Sequence, residues 1–273
     1  MSYSYKKTYV PQNGYTPLCK IGECSLKDLE FGIIELTAGQ KYVYETGDRE
    51  VAFILLGGKA SFAADGKDFG LLGVRRSVFE NPKAEAFYAG RGTSVEITSL
   101  WNVKIAVCGT PIGVDTEPQA IRQADVRVMR LGVKPWERDT SFIVDGTTNA
   151  KKLTIGEAYV TPGNWAGFPP HKHDADNMPA EGVAEEIYYF LFQPEQGFGV
   201  QCLYTADGAV DEAYRVKNDE LVEFPFGYHT TVGAPGYNTY FLWLMAGEHQ
   251  GFYRSNDPAH DCVSAVENLE KKL

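Results

Sequence analysis

The feature that most limits the possible folds of this chain is a succession of short apolar runs separated by glycine turns. The stretch VAFILLGGKASFAADGKDFG contains one apolar run, a Gly57-Gly58 dipeptide, a second run and an Asp65-Gly66 dipeptide. Such dipeptides favour tight hairpins because their central residues tolerate positive φ. The pattern continues in SVEITSLWNVKIAV and resumes after Lys152 in several further runs. It predicts a chain built mostly of antiparallel strands.

Length and composition leave room for two such β-rich units. The chain has 273 residues, which is enough for two domains of about 130 residues each. Its hydrophobic content of 44% can fill two cores. A helical or irregular segment around EPQAIRQADVR is the best candidate for a crossing between them. We predict an all-β fold of two related antiparallel barrels or jelly rolls, 1–135 and 136–273, with a few short helices, one beginning near Asp257-Pro258.

Charge and cysteine content argue against several classes of function. The formal net charge is −10, and no block of basic residues is present, so nucleic acid is not an expected partner. No apolar run approaches the length of a membrane span, and the N-terminus has no apolar core of signal-peptide length. The five cysteines include no CxxC pair and are predicted to be free thiols. We therefore expect a cytoplasmic protein without a membrane partner.

Two of the five histidines lie close together in PPHKHD. His171 and His173 are two positions apart, so on an extended strand both imidazoles point to the same face. The preceding Pro169-Pro170 favours an extended backbone, because the proline ring restricts φ and cannot continue a helix. An isolated HxH pattern is also typical of exposed loops and of core histidines that bond to a carboxylate.

The next chemical groups along the chain extend this pattern. In AEEIYYF, strand alternation places Glu185 and Glu186 on opposite faces, so only one of them shares a face with a given neighbour. A third histidine, His229, lies in FPFGYHTTV before a later strand. Three imidazoles and one carboxylate are a suitable ligand set for Zn²⁺, Mn²⁺, Fe²⁺ or Ni²⁺, and the set alone does not select among these ions. The ordered combination favours a metal site over the structural alternatives.

The order HxH, Glu, His across successive strands resembles the arrangement of metal-binding cupins. A closer resemblance follows from GNWAGFPPHKHD, EEIYYF, PEQGFG, FGYHTTVGAPGY, LMAG and DPAHD. Together these motifs are similar to the 5-deoxy-glucuronate isomerase family of inositol catabolism, from about Gly156 to Asp261. The first half of the chain contains no histidine and resembles the family only in its size and strand pattern.

The resemblance implies a bicupin with one divalent transition metal in its C-terminal cupin, 136–273, and a degenerate N-terminal cupin, 1–135, without metal ligands. The implied ligands are His171, His173, Glu186 and His229. The sequence Glu-aliphatic-Tyr, which surrounds the metal glutamate in the related 5-keto-4-deoxyuronate ketol-isomerase, also selects Glu186. The implied reaction is an aldose–ketose isomerisation of a small sugar acid, 5-deoxy-glucuronate to 5-dehydro-2-deoxy-gluconate.

The sequence is also consistent with other functions. The chain departs from the family pattern at Cys202, Gln250 and Phe252, where arginine or tryptophan is typical. The segment FLWLMAGEHQ is closer to the ketol-isomerase of the pectin pathway. The same ligand set also suits a cupin dioxygenase, and a bicupin that binds a sugar or metal without catalysis is a third possibility. Exposed barrel edges favour a homo-oligomer.

An isomerase also needs a group that moves a proton. Tyr240 and His249 are the predicted catalytic residues, because Tyr240 is on a strand expected to border the barrel and His249 follows the LMAG strand. Glu157 is a further candidate on a bordering strand. Glu185 is on the wrong face unless its strand contains a bulge.

The substrate of such an isomerase carries a carboxylate, which arginine binds in bidentate geometry. Arg138, Arg215 and Arg254 are the candidates for this role. Nothing in the sequence ranks them.

Overall fold

The computed structural model describes the backbone of residues 5–80 and 83–270 and the side chains through residue 268. These residues form 22 strands, one short 3₁₀ turn and one α-helix. Neighbouring strands pair antiparallel throughout the four sheets. The predicted all-β class is therefore confirmed.

The first eleven strands end at residue 121. They are β1 (Lys6–Thr8), β2 (Gly14–Cys19), β3 (Glu30–Leu36), β4 (Lys41–Glu45), β5 (Arg49–Gly57), β6 (Ala60–Ala64), β7 (Lys67–Leu72), β8 (Ala86–Ala89), β9 (Ser94–Ser99), β10 (Val103–Pro111) and β11 (Gln119–Ile121).

The remaining elements begin at residue 127. They are β12 (Arg127–Leu131), β13 (Arg138–Val144), β14 (Leu153–Val160), β15 (Trp165–Lys172), β16 (Ala184–Gln193), β17 (Phe198–Tyr204), β18 (Asp211–Lys217), β19 (Glu220–Phe224), β20 (Tyr228–Gly233), β21 (Asn238–Gly247), β22 (Ser255–Asn256), the 3₁₀ turn Pro258–His260 and α1 (Asp261–Glu270).

Each half of the chain contributes two sheets. In the first half a six-stranded sheet, β11-β8-β5-β10-β3-β2, accompanies a four-stranded sheet, β4-β9-β6-β7. In the second half a seven-stranded sheet, β1-β19-β16-β21-β14-β13-β12, accompanies a five-stranded sheet, β18-β17-β20-β15-β22. Strands β1 and β12, which precede residue 136, thus pair within the large sheet of the second half. The domain limits at 135 and 136 stay a prediction.

The segment around residues 117–127 carries the chain from one set of sheets to the other. Strand β11 pairs with β8 in the first half, and β12 pairs with β13 in the second. Between them the backbone forms a turn. The helical alternative predicted for this segment is wrong, because its two ends belong to β11 and β12, the edge strands of their sheets.

Three apolar clusters hold the molecule together. One fills the first half and contains the packed rings of Phe53, Phe62 and Phe87. Another fills the second half, around Tyr188 and Phe241. The third lies between the two largest sheets, so strands such as β5, β16 and β21 are buried on both faces. Burial on both faces explains why these strands are nearly continuous apolar runs in the sequence.

Buried polar groups also join the two halves. The carboxylate of Glu50 accepts hydrogen bonds from the backbone N–H groups of residues 151, 152 and 153, at 2.9, 2.8 and 2.8 Å. Arg75 of the first half forms an ion pair with Glu157 on β14, and both side chains are fully buried. Arg75 also donates to the Tyr159 hydroxyl at 2.9 Å and to the Leu55 carbonyl at 3.1 Å. These bonds satisfy the charges that the interface buries.

The cysteines depart from the prediction in one place. Cys19 and Cys24 form a disulfide, with their Cα atoms 5.5 Å apart, so the prediction of five free thiols is wrong for this pair. The spacing of five residues brings the two together across a short loop after β2. Cys108, Cys202 and Cys262 are free thiols.

The predicted C-terminal helix is present. The Asp257 side chain accepts a hydrogen bond from the backbone N–H of Ala259 at 2.9 Å and caps the 3₁₀ turn, which leads directly into α1. Among the described residues, no helix has the length and apolar character needed to cross a membrane.

We expect the Arg75→Met substitution to lower the free energy of unfolding by about 3–5 kcal/mol, because it leaves the Glu157 carboxylate buried without its cation. Urea unfolding of the purified variant measures this. The neighbouring Arg76→Met is the control, since Arg76 is 84% exposed in its pair with Glu80 and should cost less than about 1 kcal/mol. Equal losses in the two variants would contradict a structural role for the Arg75 pair.

Candidate metal centre

Strand β15 positions the first histidine of the candidate site. Its pairing with β20 shifts register between Ala166 and His171, which places His171 directly opposite His229. Gly167 sits in this irregularity at φ +60°, a conformation that favours glycine. A Cβ atom at this position would also lie 3.2 Å from Cε1 of His171. The bulge therefore needs a glycine, and it aims the His171 ring at the interior of the second barrel.

Four side chains converge at this point. Nε2 of His173 and Nε2 of His229 each lie 3.0 Å from Oε2 of Glu186, and the rings of His171 and His229 are 4.5 Å apart. Ligand atoms of His171, Glu186 and His229 all lie within 4.8 Å of one another. All four side chains are buried. The structure thus brings together the four residues that the sequence selected. His171, Glu186 and His229 form the group of three, and His173 contacts it through Glu186.

Backbone carbonyls orient the imidazole rings. Nδ1 of His171 is 3.2 Å from the Gly167 carbonyl, Nδ1 of His173 is 2.7 Å from the Ala184 carbonyl, and Nδ1 of His229 is 3.2 Å from the Gly227 carbonyl. A ring that donates its Nδ1 proton to a carbonyl keeps a lone pair on Nε2. This is the tautomer that binds a metal through Nε2, with the second nitrogen held in place.

The protonation states also favour cation binding. Burial lowers the pKa of His229, and burial together with the nearby Arg254 charge lowers the pKa of His171 well below its ordinary value. Burial alone would raise the pKa of Glu186, but the contacts of its Oε2 with His173 and His229 outweigh it and lower the pKa of this carboxyl. The contact with Glu186 raises the pKa of His173 against the effect of burial. Neutral imidazoles and an ionised carboxylate are the forms that bind metals, so His171, His229 and Glu186 are ready to bind a cation, whereas His173 must first release the proton that its contact with Glu186 favours.

Three buried polar atoms of the cluster have no hydrogen-bond partner in the described part of the chain. They are Nε2 of His171, Nε2 of His229 and Oε1 of Glu186. A buried polar atom without a partner costs free energy, and a divalent cation bound by the cluster would satisfy all three atoms. The residues therefore fit a metal ion in donor type, protonation and arrangement.

A small cavity adjoins the cluster. Its volume is about 30 Å³, which is close to that of one water molecule. Its walls contain His171 and Glu186 together with aromatic, aliphatic and charged side chains: Leu131, Arg138, Thr140, Phe142, Ala158, Gly167, Tyr188, Phe241, Trp243, Phe252 and Arg254. Two of the three arginines predicted as carboxylate ligands, Arg138 and Arg254, are therefore beside the cluster.

The predicted proton-transfer residue Tyr240 is not at this site. On β21 the side chains of Phe241 and Trp243 point into the second barrel, whereas Tyr240 belongs to the cluster between the two halves. Its hydroxyl donates to Oε1 of Glu157 at 2.7 Å. Glu157 is likewise taken up by its ion pair with Arg75. Strand alternation puts both side chains on the face of the sheet that packs against the first half of the chain, away from the cluster.

The remaining candidates also lie outside the cavity. Glu185 accepts hydrogen bonds from the backbone N–H groups of Lys27 and Asp28, both at 2.8 Å, so its carboxylate faces the first half of the chain. His249, the second predicted catalytic residue, is exposed after the end of β21. Arg215 is exposed on β18, with its guanidinium 4.9 Å from the ring of Phe198. None of the three lines the cavity.

The structure adds Tyr188 to the site. It lies two positions after Glu186, so the two side chains share one face of β16. Its side chain lines the cavity and is 3% exposed. A Cβ atom on Gly167 would lie 3.7 Å from the Tyr188 hydroxyl and 3.2 Å from His171, so the hydroxyl is close to the cluster. Burial, and then the charge of Glu186, raise the pKa of Tyr188 well above its ordinary value. The hydroxyl therefore keeps its proton. Its spacing of two residues from Glu186 is the sequence signal that could have identified Tyr188 as a site residue.

Two antiparallel β-barrels in one chain, with a buried His/Glu cluster in the second, define this protein as a bicupin. The model of the KduI/IolB family matches residues 5–263, so the chain belongs to that family. A protein of Bacillus subtilis subsp. natto named 5-deoxy-glucuronate isomerase is 33% identical over 96% of this chain and 99% of its own. One of the same name from Geobacillus kaustophilus is 37% identical over 89% of this chain and 86% of its own.

Solved structures agree with the fold. The crystal structure of an IolB-like protein from Salmonella typhimurium LT2 has a TM-score of 0.91 and 28% identity, covering 95% of this chain and 98% of that one. An oxalate decarboxylase from Lactobacillus farciminis has a TM-score of 0.70 at 9% identity, covering 100% of this chain and 94% of that one. At this low identity the similarity shows a shared fold and nothing about function. The predicted bicupin fold and the predicted family are both confirmed.

Proposed function

We propose that this protein is a metal-dependent isomerase that converts 5-deoxy-glucuronate to 5-dehydro-2-deoxy-gluconate. The observation that carries the proposal is the buried His171, Glu186 and His229 cluster, whose donor atoms converge beside a cavity that contains arginines. The substrate follows from the relatives, which are named 5-deoxy-glucuronate isomerase and align over most of the chain. The chain is an isomerase, as these relatives are.

The proposed ligands of the metal are His171, His173, Glu186 and His229. A divalent transition metal at this point would supply Lewis-acid polarisation of the sugar carbonyl. The ligand set accepts Zn²⁺, Mn²⁺, Fe²⁺ or Ni²⁺. The protein's own contribution is to orient three imidazoles through backbone carbonyls, beside a small cavity whose walls include aromatic and aliphatic side chains.

An aldose–ketose isomerisation moves a hydrogen between adjacent carbons and transfers the hydroxyl proton of one oxygen to the other. The Tyr188 hydroxyl lies close to the cluster in the cavity wall, and its raised pKa keeps the phenol neutral. A neutral phenol can donate a hydrogen bond to the sugar oxygen on which negative charge develops. We assign it this role in place of Tyr240 and His249.

The other functions consistent with the sequence are distinguished by what they consume. A ketol-isomerase of the 5-keto-4-deoxyuronate type would turn over that sugar instead, a dioxygenase would need O₂, and a binding protein would leave the sugar unchanged. A cytoplasmic location and a homo-oligomeric state also stay part of the proposal.

We expect protein purified without chelator to contain about one equivalent of a transition metal, and the Glu186→Gln variant to lose most of it because the amide carries no negative charge. Elemental analysis by mass spectrometry measures the content. The matched control is Glu185→Gln, which changes the adjacent residue on the opposite face and should retain the metal. Loss of metal in the Glu185 variant, or full retention in the Glu186 variant, would refute the assigned ligand.

We expect the metal-loaded protein to convert 5-deoxy-glucuronate to the ketose in D₂O, with and without O₂, and a chelator to abolish the conversion. Proton NMR of the sugar follows both. Deuterium in the new methylene group would indicate an enediol route, and its absence a hydride shift. Metal-loaded protein that leaves this sugar unchanged would overturn the proposed substrate.

We expect Tyr188→Phe to lower turnover by about 10²–10⁴-fold, the usual contribution of a positioned proton donor, without changing the metal content. The control is Tyr189→Phe, since the Tyr189 hydroxyl faces the other side of the sheet and donates to Asp219. Turnover rates by NMR distinguish the two. A loss of tenfold or less at Tyr188 would remove it from this role.

A further inference from the structure

Two arginines on separate elements meet at the cavity. Arg138 begins β13, where it pairs across the sheet with Val160 of β14. Arg254 lies just before β22, in the segment that follows β21. Both line the cavity beside His171 and Glu186. They are more than 100 positions apart in the sequence, so only the fold brings them to one site.

Neither arginine forms an ion pair within 4.0 Å of a carboxylate in residues 5–80 and 83–268, although most arginines of this protein do. Arg138 makes only a long hydrogen bond of 3.4 Å to the Trp136 carbonyl. One guanidinium nitrogen of Arg254 lies 3.2 Å from Nδ1 of His171. The two guanidinium groups therefore have unused donors that face the cavity.

The nearest carboxylates are already engaged. Glu186 and Glu267 both act electrostatically on Arg254, and Glu267 acts on Arg138. Oε2 of Glu186 is within 3.0 Å of two histidines, and Oε2 of Glu267 accepts the indole N–H of Trp136 at 3.1 Å. Neither is within ion-pair distance of a guanidinium group, so the positive charge at the cavity lacks a direct partner in the described chain.

Arg138 is buried and Arg254 is partly buried, and placing two cations together in such surroundings is unfavourable without an anion. Burial, and then the adjacent charge of Arg254, lower the pKa of Arg138 to about 10. This direction indicates that the surroundings of Arg138 disfavour the positive charge that it carries at neutral pH.

A third polar group faces the same space. Oγ1 of Thr140 is buried, lines the cavity and has no hydrogen-bond partner among the described residues. Thr140 is 5% exposed and follows Arg138 by two positions, so the two share one face of β13. Two cations and one hydroxyl, all with unused hydrogen-bonding capacity, require an acceptor group with several lone pairs.

We propose that Arg138 and Arg254 together bind the carboxylate of the substrate, with Thr140 as an additional donor, and thereby make the enzyme select sugar acids over neutral aldoses. This inference rests on the proposed isomerase function. Arg254 lies on the Nδ1 side of the His171 ring, and both arginines line the same cavity as His171 and Glu186. An acid anchored at the arginines therefore has its carbonyl end free to reach the cluster.

The test uses the metal-loaded variants Arg138→Met and Arg254→Met, with Arg215→Met as the control of an exposed arginine. We expect each cavity variant to raise the KM for 5-deoxy-glucuronate by roughly 10- to 100-fold, the usual effect of losing hydrogen bonds to a charged group. The activity on 5-deoxy-glucose, which lacks the carboxylate, should change little, so the preference for the acid falls by the same factor. Arg138→Lys should recover part of the preference. An unchanged ratio of the two sugars in both variants would overturn the proposal.

Thermal melting separates this role from a structural one. Removing a buried cation without a direct partner should leave the melting temperature unchanged or raise it, whereas losing a structural contact lowers it. Both cavity variants melting well below the Arg215 control, with the substrate preference intact, would assign the pair to the fold and refute the carboxylate site.

Direct binding tests the site independently of turnover. Glucarate, a six-carbon sugar acid with two carboxylates, should bind the wild type and the Arg215 variant in a calorimeter and bind at least tenfold more weakly to both cavity variants. Equal binding by all four proteins would refute the carboxylate site whatever the activity. The expected binding pattern without conversion of 5-deoxy-glucuronate would instead leave the site standing and refute the proposed reaction.

Discussion

The structure depends on the burial of one sheet on both of its faces. The seven-stranded sheet of the second half packs one face against the five-stranded sheet and the other against the first half of the chain. Because strand side chains alternate, neighbours in the sequence enter different environments. Glu186 and Tyr188 enter the barrel that holds the histidines, whereas Glu185 and Tyr189 face the first half. A shift of one residue would exchange the site for the interface.

The same sheet separates two kinds of buried charge. At the interface, Arg75 and Glu157 neutralise each other, and a hydroxyl and a carbonyl group accept further hydrogen bonds from Arg75. In the barrel, Arg138 and Arg254 have no carboxylate partner in the described chain, and buried polar atoms of the nearby cluster lack a hydrogen-bond partner. A buried pair of opposite charges holds the halves together, whereas two cations without a paired carboxylate beside unsatisfied polar atoms are typical of a site that binds ligands.

The first half of the chain supports the site without taking part in it. Of the cavity residues, Leu131 alone precedes residue 136, and its strand β12 pairs within the large sheet of the second half. The barrel of the first half is filled by packed aromatic rings. It covers one face of the large sheet and caps its polar groups, including Glu185. Burial of β16 on both faces keeps Glu186 on a rigid strand, and a precise arrangement of ligands needs such support.

Local patterns in the sequence determined the strands, the all-β class and the grouping of His171, His173, Glu186 and His229, because hairpin turns and two-residue alternation act over short distances. Only the tertiary structure decided which face of each strand met which neighbour. Tyr240 on β21 and Arg138 on β13 flank β14 in one sheet, yet the first faces the interface and the second the cavity. The pairing of Arg138 with Arg254 likewise depends on contacts across more than 100 residues, and no local pattern encodes such a contact.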